Sequence, residues 1–295
     1  MQFVAHLALV SETTSVGISE LTRVSAALQK QVTRDVSQYW DIQGTVDAFA
    51  SLHDVPPGYW PIVVRDDIGQ DASGIHCDDT GQPMALITSD LDWSITASHE
   101  VLEMLVDPFG NRLISGQSVS QDQGRVEYLI EVSDPVSGKS YQVNGVKVSD
   151  FYTRHFFDPV KADGVQYSFM GNLTAPRQIV FGGYITWFEP IQGEWWQQSW
   201  FSGDQPEIRN LGQIQKTTCG MRPTLDRLTK QHRMKVAGKA LKAGTLVAEH
   251  AEQAARAVAA SSKAKAERWL AYIDKIAGKT EQARTISPGS TPDPN

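Results

Sequence analysis

The sequence predicts an α+β fold with three parts: an N-terminal lobe that contains a central helix, a β-rich second lobe and a helical C-terminal tail. In residues 1–110, short apolar runs alternate with segments whose apolar side chains recur at helical spacing. Residues 111–221 are rich in Gly, aromatic and β-branched residues, which are typical of strands and turns. Residues 222–286 are dominated by Ala, Lys, Glu and Arg, which favour helix. Residues 287–295 have the composition of a disordered end.

The N-terminal lobe is predicted to run in the order strand, helix, three strands and a second helix. The predicted strands are residues 3–10, 43–52, 59–65 and 84–88, and the predicted helices are residues 18–36 and 94–106. Ser94 or Thr96 is the expected cap of the second helix, because a hydroxyl side chain can accept from the first helical N–H groups. Pro108 and Gly110 are expected to end that helix.

The second lobe has two hairpin signals, at Ser137-Gly138 and at Asn144-Gly145. Before them, residues 126–132 alternate in polarity, which suits a strand. A helix over the same segment would instead place Glu127 one turn before Glu131, where both carboxylates could reach one metal ion, and the pattern leaves both structures open. In the tail, Gly238 and Gly244 are expected to divide the helix.

Charge is distributed unevenly along the chain, whose formal net charge is −7. The residues before Arg222 are strongly acidic in balance, and the tail that starts there is basic. A basic tail can bind nucleic acid, an anionic membrane or an acidic partner, or it can fold back on its own acidic body, and binding and folding back are equally open interpretations. We do not expect nucleic-acid binding.

The chain has two cysteines, Cys77 and Cys219, which define neither a disulfide framework nor a thiolate metal site. The first residues lack a basic leader with a small-residue cleavage site, and no apolar run approaches the roughly 20 residues of a membrane span. The expectation is a soluble protein without a Sec signal or a membrane span, either cytoplasmic or exported by a signal-independent route.

A metal site is predicted on the second helix by the string His99-Glu100-x-x-Glu103. Residues four apart lie on the same helix face, so an imidazole nitrogen and a carboxylate oxygen can reach one metal ion. Glu100 is the candidate general base, because the carboxylate next to the first ligand of HExxH peptidases takes a proton from the metal-bound water. The alternative without a metal site is that all three are polar groups on an exposed helix face.

The second glutamate in place of a histidine changes the expected chemistry. An anionic ligand lowers the effective charge of the metal, so its bound water should be less acidic than in a three-histidine site. Zinc is the expected ion, with manganese as a competitor because carboxylates suit harder cations. A further protein ligand is needed, and Asp107, two turns beyond His99, is one candidate for a ligand or for its support.

The segment SHEVLEMLVDP resembles the HExxE zincin-like proteins of bacteria and phages, in which such a helix is followed by an E-x-x-D segment. Within residues 1–184, YLIEVSDP, YQVNGVKVSDFYTRHFFDP, GNLTAP and VFGGY look like the second lobe of an uncharacterised group in that set. Ser133 stands where that group's motif has Cys. The resemblance implies a zincin-like N-lobe and, by analogy with gluzincins, Glu131 as a metal ligand and Asp134 as the group that orients His99. It also implies that residues 81–88 form a cleft-edge strand for an extended peptide.

Two residues of the segment VSDFYTRHFF, Tyr152 and His155, could donate a hydrogen bond to the oxyanion that develops during peptide hydrolysis. Aromatic packing is the competing interpretation for Tyr152.

The sequence therefore predicts a zinc-dependent metallopeptidase that acts on a peptide or protein substrate through a metal-activated water. The alternative is a zincin scaffold without turnover, in which the metal only ties the helix to the second lobe or the tail docks in a larger assembly, such as a phage particle or a secretion apparatus.

Overall fold

The computed structural model describes residues 4–68, 74–76, 82–215 and 221–242, and of residues 74–76 and 238–242 it describes only the backbone. The chain divides into two units, residues 1–236 and residues 237–295. The first unit contains both predicted lobes, and its mixture of helices and sheets confirms the α+β class. Of the second unit, the structure describes only residues 237–242, which are helical.

The N-terminal lobe is built on a five-stranded sheet. Its strands are β1 Val4–Ser11, β2 Gln43–Phe49, β3 Trp60–Arg65, β4 Gly74–His76 and β5 Ala85–Thr88. They lie in the order β2-β1-β3-β5-β4, and all neighbours are parallel except β4, which runs antiparallel to β5. The four predicted strands are confirmed, with shorter bounds for three of them.

The structure corrects the edge position that the resemblance implied for residues 81–88. Strand β5 is hydrogen-bonded to β3 on one side and to β4 on the other. Both of its backbone edges are therefore occupied, and a peptide cannot add to it as a further strand. Among the described strands, β4 takes the edge position, and Gly81 lies outside the described residues.

The first helical segment follows β1 closely as predicted. It comprises α1 Ile18–Lys30, a π-helical turn Gln31–Val36 and α2 Ser37–Trp40. Leu21, Val24 and Leu28 form its buried face. Asp41, with a φ of 50°, ends the segment in the left-handed conformation that commonly terminates helices.

The second helix, α3, spans Trp93–Val106 and lies between two cores. Ala97 and Val101 belong to the core of the N-terminal lobe, whereas Leu102 and Val106 belong to that of the second lobe. The predicted end before Pro108 is confirmed, but the predicted cap is wrong. The helix begins after Asp92, whose carbonyl oxygen accepts the first helical N–H groups, so Ser94 and Thr96 lie inside the helix.

The second lobe is a five-stranded antiparallel sheet with an added hairpin. The sheet strands are β6 Leu113–Gln117, β7 Arg125–Leu129, β10 Tyr184–Glu189, β11 Glu194–Ser199 and β12 Glu207–Gly212, and the hairpin strands are β8 Ser140–Val143 and β9 Val146–Ser149. The hairpin signal at Asn144-Gly145 is confirmed, and both residues have positive φ, as a tight hairpin turn requires. The signal at Ser137-Gly138 is wrong, because these residues connect a 3₁₀ turn, Asp134–Val136, to β8. The strand interpretation of residues 126–132 holds as far as Leu129.

The tail begins with helix α4, Arg222–Lys242, whose first turns pack on the second lobe. Leu225 is buried against Leu129 and Trp195. The helix backbone passes through Gly238 without interruption, while Gly244 and the predicted disordered end lie outside the described residues. In the described part of the chain, no helix combines the length and the apolar character that a membrane crossing requires.

Candidate metal centre

Helix α3 places His99 and Glu103 one turn apart on one face, as predicted. His99 Nε2 lies 3.0 Å from Glu103 Oε2, and the Glu103 side chain is completely buried. Ser98 fixes this part of the helix, because its hydroxyl donates to Gln31 Oε1 at 2.7 Å and accepts from the Ser149 backbone N–H at 2.9 Å. The turn of α3 that carries His99 is therefore held by buried hydrogen bonds.

The loop after β7 brings two more carboxylates to this face of α3. The backbone N–H of Ser133 donates to Glu103 Oε1 at 3.2 Å, which ties the loop to the helix. Ligand atoms of Glu103, Glu131 and Asp134 all lie within 4.8 Å of one another, as do those of His99, Glu100 and Glu103. The structure thus brings together four of the five predicted metal-site residues.

Asp134 approaches His99 on the side that faces Glu103. Its Oδ1 lies 3.2 Å from His99 Nε2, the same nitrogen that contacts Glu103. A carboxylate that only orients a metal-bound histidine hydrogen-bonds the other ring nitrogen, because the first nitrogen is used by the metal. The position of Asp134 therefore does not match the orienting role that the resemblance implied.

Asp107, the other candidate for a ligand or its support, belongs to neither of the two clusters of potential ligand atoms. It is fully buried at the end of α3, and its Oδ2 accepts the backbone N–H of Arg112 at 2.8 Å. Its observed contact fixes the turn that leaves the helix.

The guanidinium of Arg222 lies among the same carboxylates, although the sequence suggested only that it starts a basic tail. It forms ion pairs with Glu103 and Glu131, and its Nη2 lies 3.7 Å from Glu100 Oε2. Its Nε lies 3.4 Å from Asp226 Oδ2, one helical turn further along α4. For the start of the tail, the interpretation in which basic residues fold back on the acidic body is therefore confirmed.

The centre gathers more buried carboxyl groups than basic side chains. Arg222 is the partner of four carboxylates, and a fifth, Asp134, contacts His99. Glu131 Oε1 and Asp134 Oδ2 are buried without a hydrogen-bond partner among the described residues. Glu131 Oε2 contacts Arg222 by charge, without hydrogen-bond geometry. Uncompensated carboxylate oxygens at such depth are costly unless a proton or a cation neutralises them.

The pKa values of the buried groups shift as the crowding of carboxyl groups predicts. Burial and the neighbouring carboxylates raise the pKa of Glu131 well above its ordinary value, despite the opposing effect of Arg222. Burial likewise raises the pKa of Asp134, and it raises that of Asp226 to about 7. Burial lowers the pKa of His99, but Glu103 and Asp134 outweigh it and hold the pKa well above the usual value.

A cavity of about 460 Å³ opens directly onto the cluster. His99, Glu100 and Asp134 line it from the body of the protein. The opposite wall is one face of α4, formed by Arg222, Asp226, Thr229, Lys230, Arg233 and Met234. The first turns of the predicted tail are thus part of the site rather than a separate appendage.

Tyr184 also lines this cavity, although it was not among the site residues predicted from the sequence. Its position depends on Gly183, where a Cβ atom would come within 2.4 Å of the Pro135 carbonyl oxygen. Burial first, and then the charge of Asp134, raises the pKa of Tyr184 well above its ordinary value, so the hydroxyl remains a hydrogen-bond donor at neutral pH. The pair of glycines before it in VFGGY was the available signal.

Neither of the two predicted oxyanion donors lines this cavity. His155 is exposed, its Nδ1 pairs with Asp158 Oδ2 at 2.9 Å, and it does not line the cavity. Tyr152 is buried and stacks on Phe156 with ring centroids 4.2 Å apart, in agreement with the aromatic-packing interpretation. Tyr152 also lines a cavity of about 10 Å³ together with Glu131 and Asp134, which is room for about one water molecule.

The ligand atoms of the two clusters lie close enough together to hold a metal ion. Two ligand atoms at about 2.0–2.1 Å from a tetrahedral zinc ion are separated by about 3.3 Å. The distances of 3.0 and 3.2 Å from His99 Nε2 to Glu103 and Asp134 are close to that separation. One imidazole with two carboxylates suits zinc and also admits manganese.

Comparison of the chain with protein-family models gives no match, and neither do comparisons with curated proteins and with solved structures. The likeness to the HExxE zincin-like proteins is accordingly carried by the motifs alone.

Proposed function

We propose that this protein is a zinc-dependent metallopeptidase whose ligands are His99, Glu103 and a carboxylate from the loop after β7. The observation that carries the proposal is the approach of Glu103 Oε2 and Asp134 Oδ1 to one nitrogen of His99, beside a cavity that Glu100 also lines. Asp134 is the favoured third ligand and Glu131 the alternative. Buried carboxylate oxygens without partners support a cation at this place.

The chain's own groups suit hydrolysis of an acyl bond. Zinc, when bound, supplies a Lewis acid that makes water acidic near neutral pH. Glu100 is almost completely buried next to the cavity, where its carboxylate can take a proton from the attacking water and pass it to the leaving amine. Tyr184 can donate a hydrogen bond to the carbonyl oxygen as charge develops there. The choice of a peptide over another acyl substrate rests on the likeness to the HExxE motif.

A metal analysis combined with one variant tests this proposal. The purified protein, saturated with zinc and then dialysed, should retain about one zinc per chain, and it should cleave a mixed peptide library. Glu100→Gln should abolish cleavage while it keeps the metal, because the amide cannot accept the proton. Glu127→Gln makes the same chemical change on β7, away from the cavity, and should leave both properties unchanged.

The proposal would be wrong if zinc did not bind, or if Glu100→Gln and the parent protein cleaved equally well. Zinc binding without cleavage by either protein would leave only a structural metal.

A second candidate function is a scaffold without turnover, and the position of Arg222 favours it. A guanidinium between Glu103 and Glu131 supplies part of the positive charge that a metal would supply. Such a protein would act through binding, for example as a component of a larger assembly. It would keep its melting temperature when a strong chelator is added, whereas a metalloenzyme would lose stability with its metal.

A further inference from the structure

We propose that Arg222 and a divalent metal ion compete for the same carboxylates, so that docking of the first turn of α4 holds the centre in a closed, metal-free state. This inference rests on the proposed metal site. It adds a regulatory contact that neither the HExxE motif nor the hydrolytic mechanism contains.

The Arg222 guanidinium and the proposed metal ion would bind the same oxygen atom. Glu103 Oε2 is the oxygen that contacts His99 Nε2, and it is also the oxygen that accepts from Arg222 Nη2. The guanidinium also pairs with Glu131. It therefore contacts at least one proposed metal ligand whether Asp134 or Glu131 is the third. A metal ion at this oxygen would bring two like charges into a buried site, where repulsion is little screened.

The docked arginine is part of a larger contact. Leu225 packs into a small core with Leu129 and Trp195, and Thr229 accepts a hydrogen bond from Gln197 at 2.6 Å. Because one face of α4 forms a wall of the cavity, any movement that withdraws Arg222 also widens the space beside Glu100. Metal binding and opening of the substrate space would then be coupled.

Linkage makes the competition measurable from both sides. If docking of Arg222 weakens metal binding by some factor, metal binding must weaken docking of α4 by the same factor. A coupling of ordinary strength in proteins corresponds to a change of about 5- to 150-fold in affinity.

The first experiment compares the zinc affinity of three full-length proteins in competition with a fluorescent chelator. Arg222→Gln should bind zinc about 10-fold or more tightly than the parent chain, because the internal competitor is gone. Arg227→Gln is the matched control: it removes the same charge from the same helix, but its side chain is exposed and does not line the cavity. Its zinc affinity should stay within about 2-fold of the parent value.

Equal or weaker zinc binding by Arg222→Gln would overturn the competition and would make Arg222 a support of the metal ligands. Failure of all three proteins to bind zinc would instead refute the proposed metal site itself.

The second experiment uses the unaltered chain and so does not depend on how well a variant folds. Hydrogen exchange of the peptide that covers residues 222–229 is followed with and without a saturating amount of zinc. Competition predicts faster exchange of this segment with zinc, while the backbone of α3 becomes better protected. Unchanged or slower exchange in residues 222–229 would refute the inference.

Discussion

Asp134→Asn and Glu131→Gln should separate a direct metal ligand from a neighbouring carboxylate. The expectation comes from one distance: Asp134 Oδ1 lies 3.2 Å from His99 Nε2, close to the separation of about 3.3 Å between two ligands of one zinc ion. Glu131 makes no contact with His99 among the ion pairs of the described residues, and its Oε2 is taken by Arg222. Both substitutions keep the size of the side chain and remove its charge.

The expected loss of zinc affinity depends on whether the carboxylate binds the metal or only orients a ligand. Loss of a group that only orients a ligand lowers metal affinity by about 10- to 100-fold, which is about 1.4–2.8 kcal/mol. Loss of a charged ligand should exceed that range, so Asp134→Asn should weaken zinc binding by more than about 100-fold. Glu131→Gln should weaken it less. The assay is a zinc titration against a chelating dye, with the melting temperature of each variant as a check on folding. A larger loss of zinc affinity for Glu131→Gln than for Asp134→Asn would refute Asp134 as the third ligand. It would restore Glu131 as the ligand and Asp134 as the group that orients His99.

Three further predictions concern the surroundings of the centre. The metal-free protein should lose stability as the pH rises from about 4 to about 7. The reason is that the folded-state pKa of Asp226 is raised to about 7, so the folded state holds a proton that the unfolded state has released. Calorimetry should show that stability depends less on pH in Asp226→Asn, and an unchanged pH dependence would contradict this. Gly183→Ala should destabilise the fold by about 1–3 kcal/mol and impair zinc binding, because its methyl group would collide with the Pro135 carbonyl oxygen. Gly124→Ala, at a site with open space, is its control in urea unfolding, and equal effects of the two would argue against the collision. His155→Ala should leave peptide cleavage within about 2-fold of the parent rate, because the side chain lies outside the cavity; a loss of more than about 100-fold, as expected for a catalytic proton donor, would place His155 in the mechanism.

The features that the sequence predicted well are those set by local patterns. Periodic apolar residues located β1, α1 and α3, and the spacing of His99 and Glu103 placed both on one helix face. The Asn144-Gly145 pair specified its hairpin, because both positions need a positive φ. Each of these depends on residues only a few positions apart.

The features that it missed depend on contacts between distant residues. Arg222 meets Glu103 across 119 positions of the chain, and no local pattern distinguishes it from the other basic residues of the tail. The role of Asp134 depends on which ring nitrogen of His99 it approaches, which only side-chain geometry decides. His155 was predicted as a possible oxyanion donor, but the 3₁₀ turn Arg154–Phe157 leaves it exposed.

A crystal of the full chain soaked with zinc, with anomalous diffraction recorded at the zinc edge, tests the metal centre most directly. A single peak about 2.0–2.2 Å from both His99 Nε2 and Glu103 Oε2, with Asp134 or Glu131 as the next ligand, is the predicted result. Density without such a peak, with the Arg222 guanidinium still between Glu103 and Glu131, would contradict it.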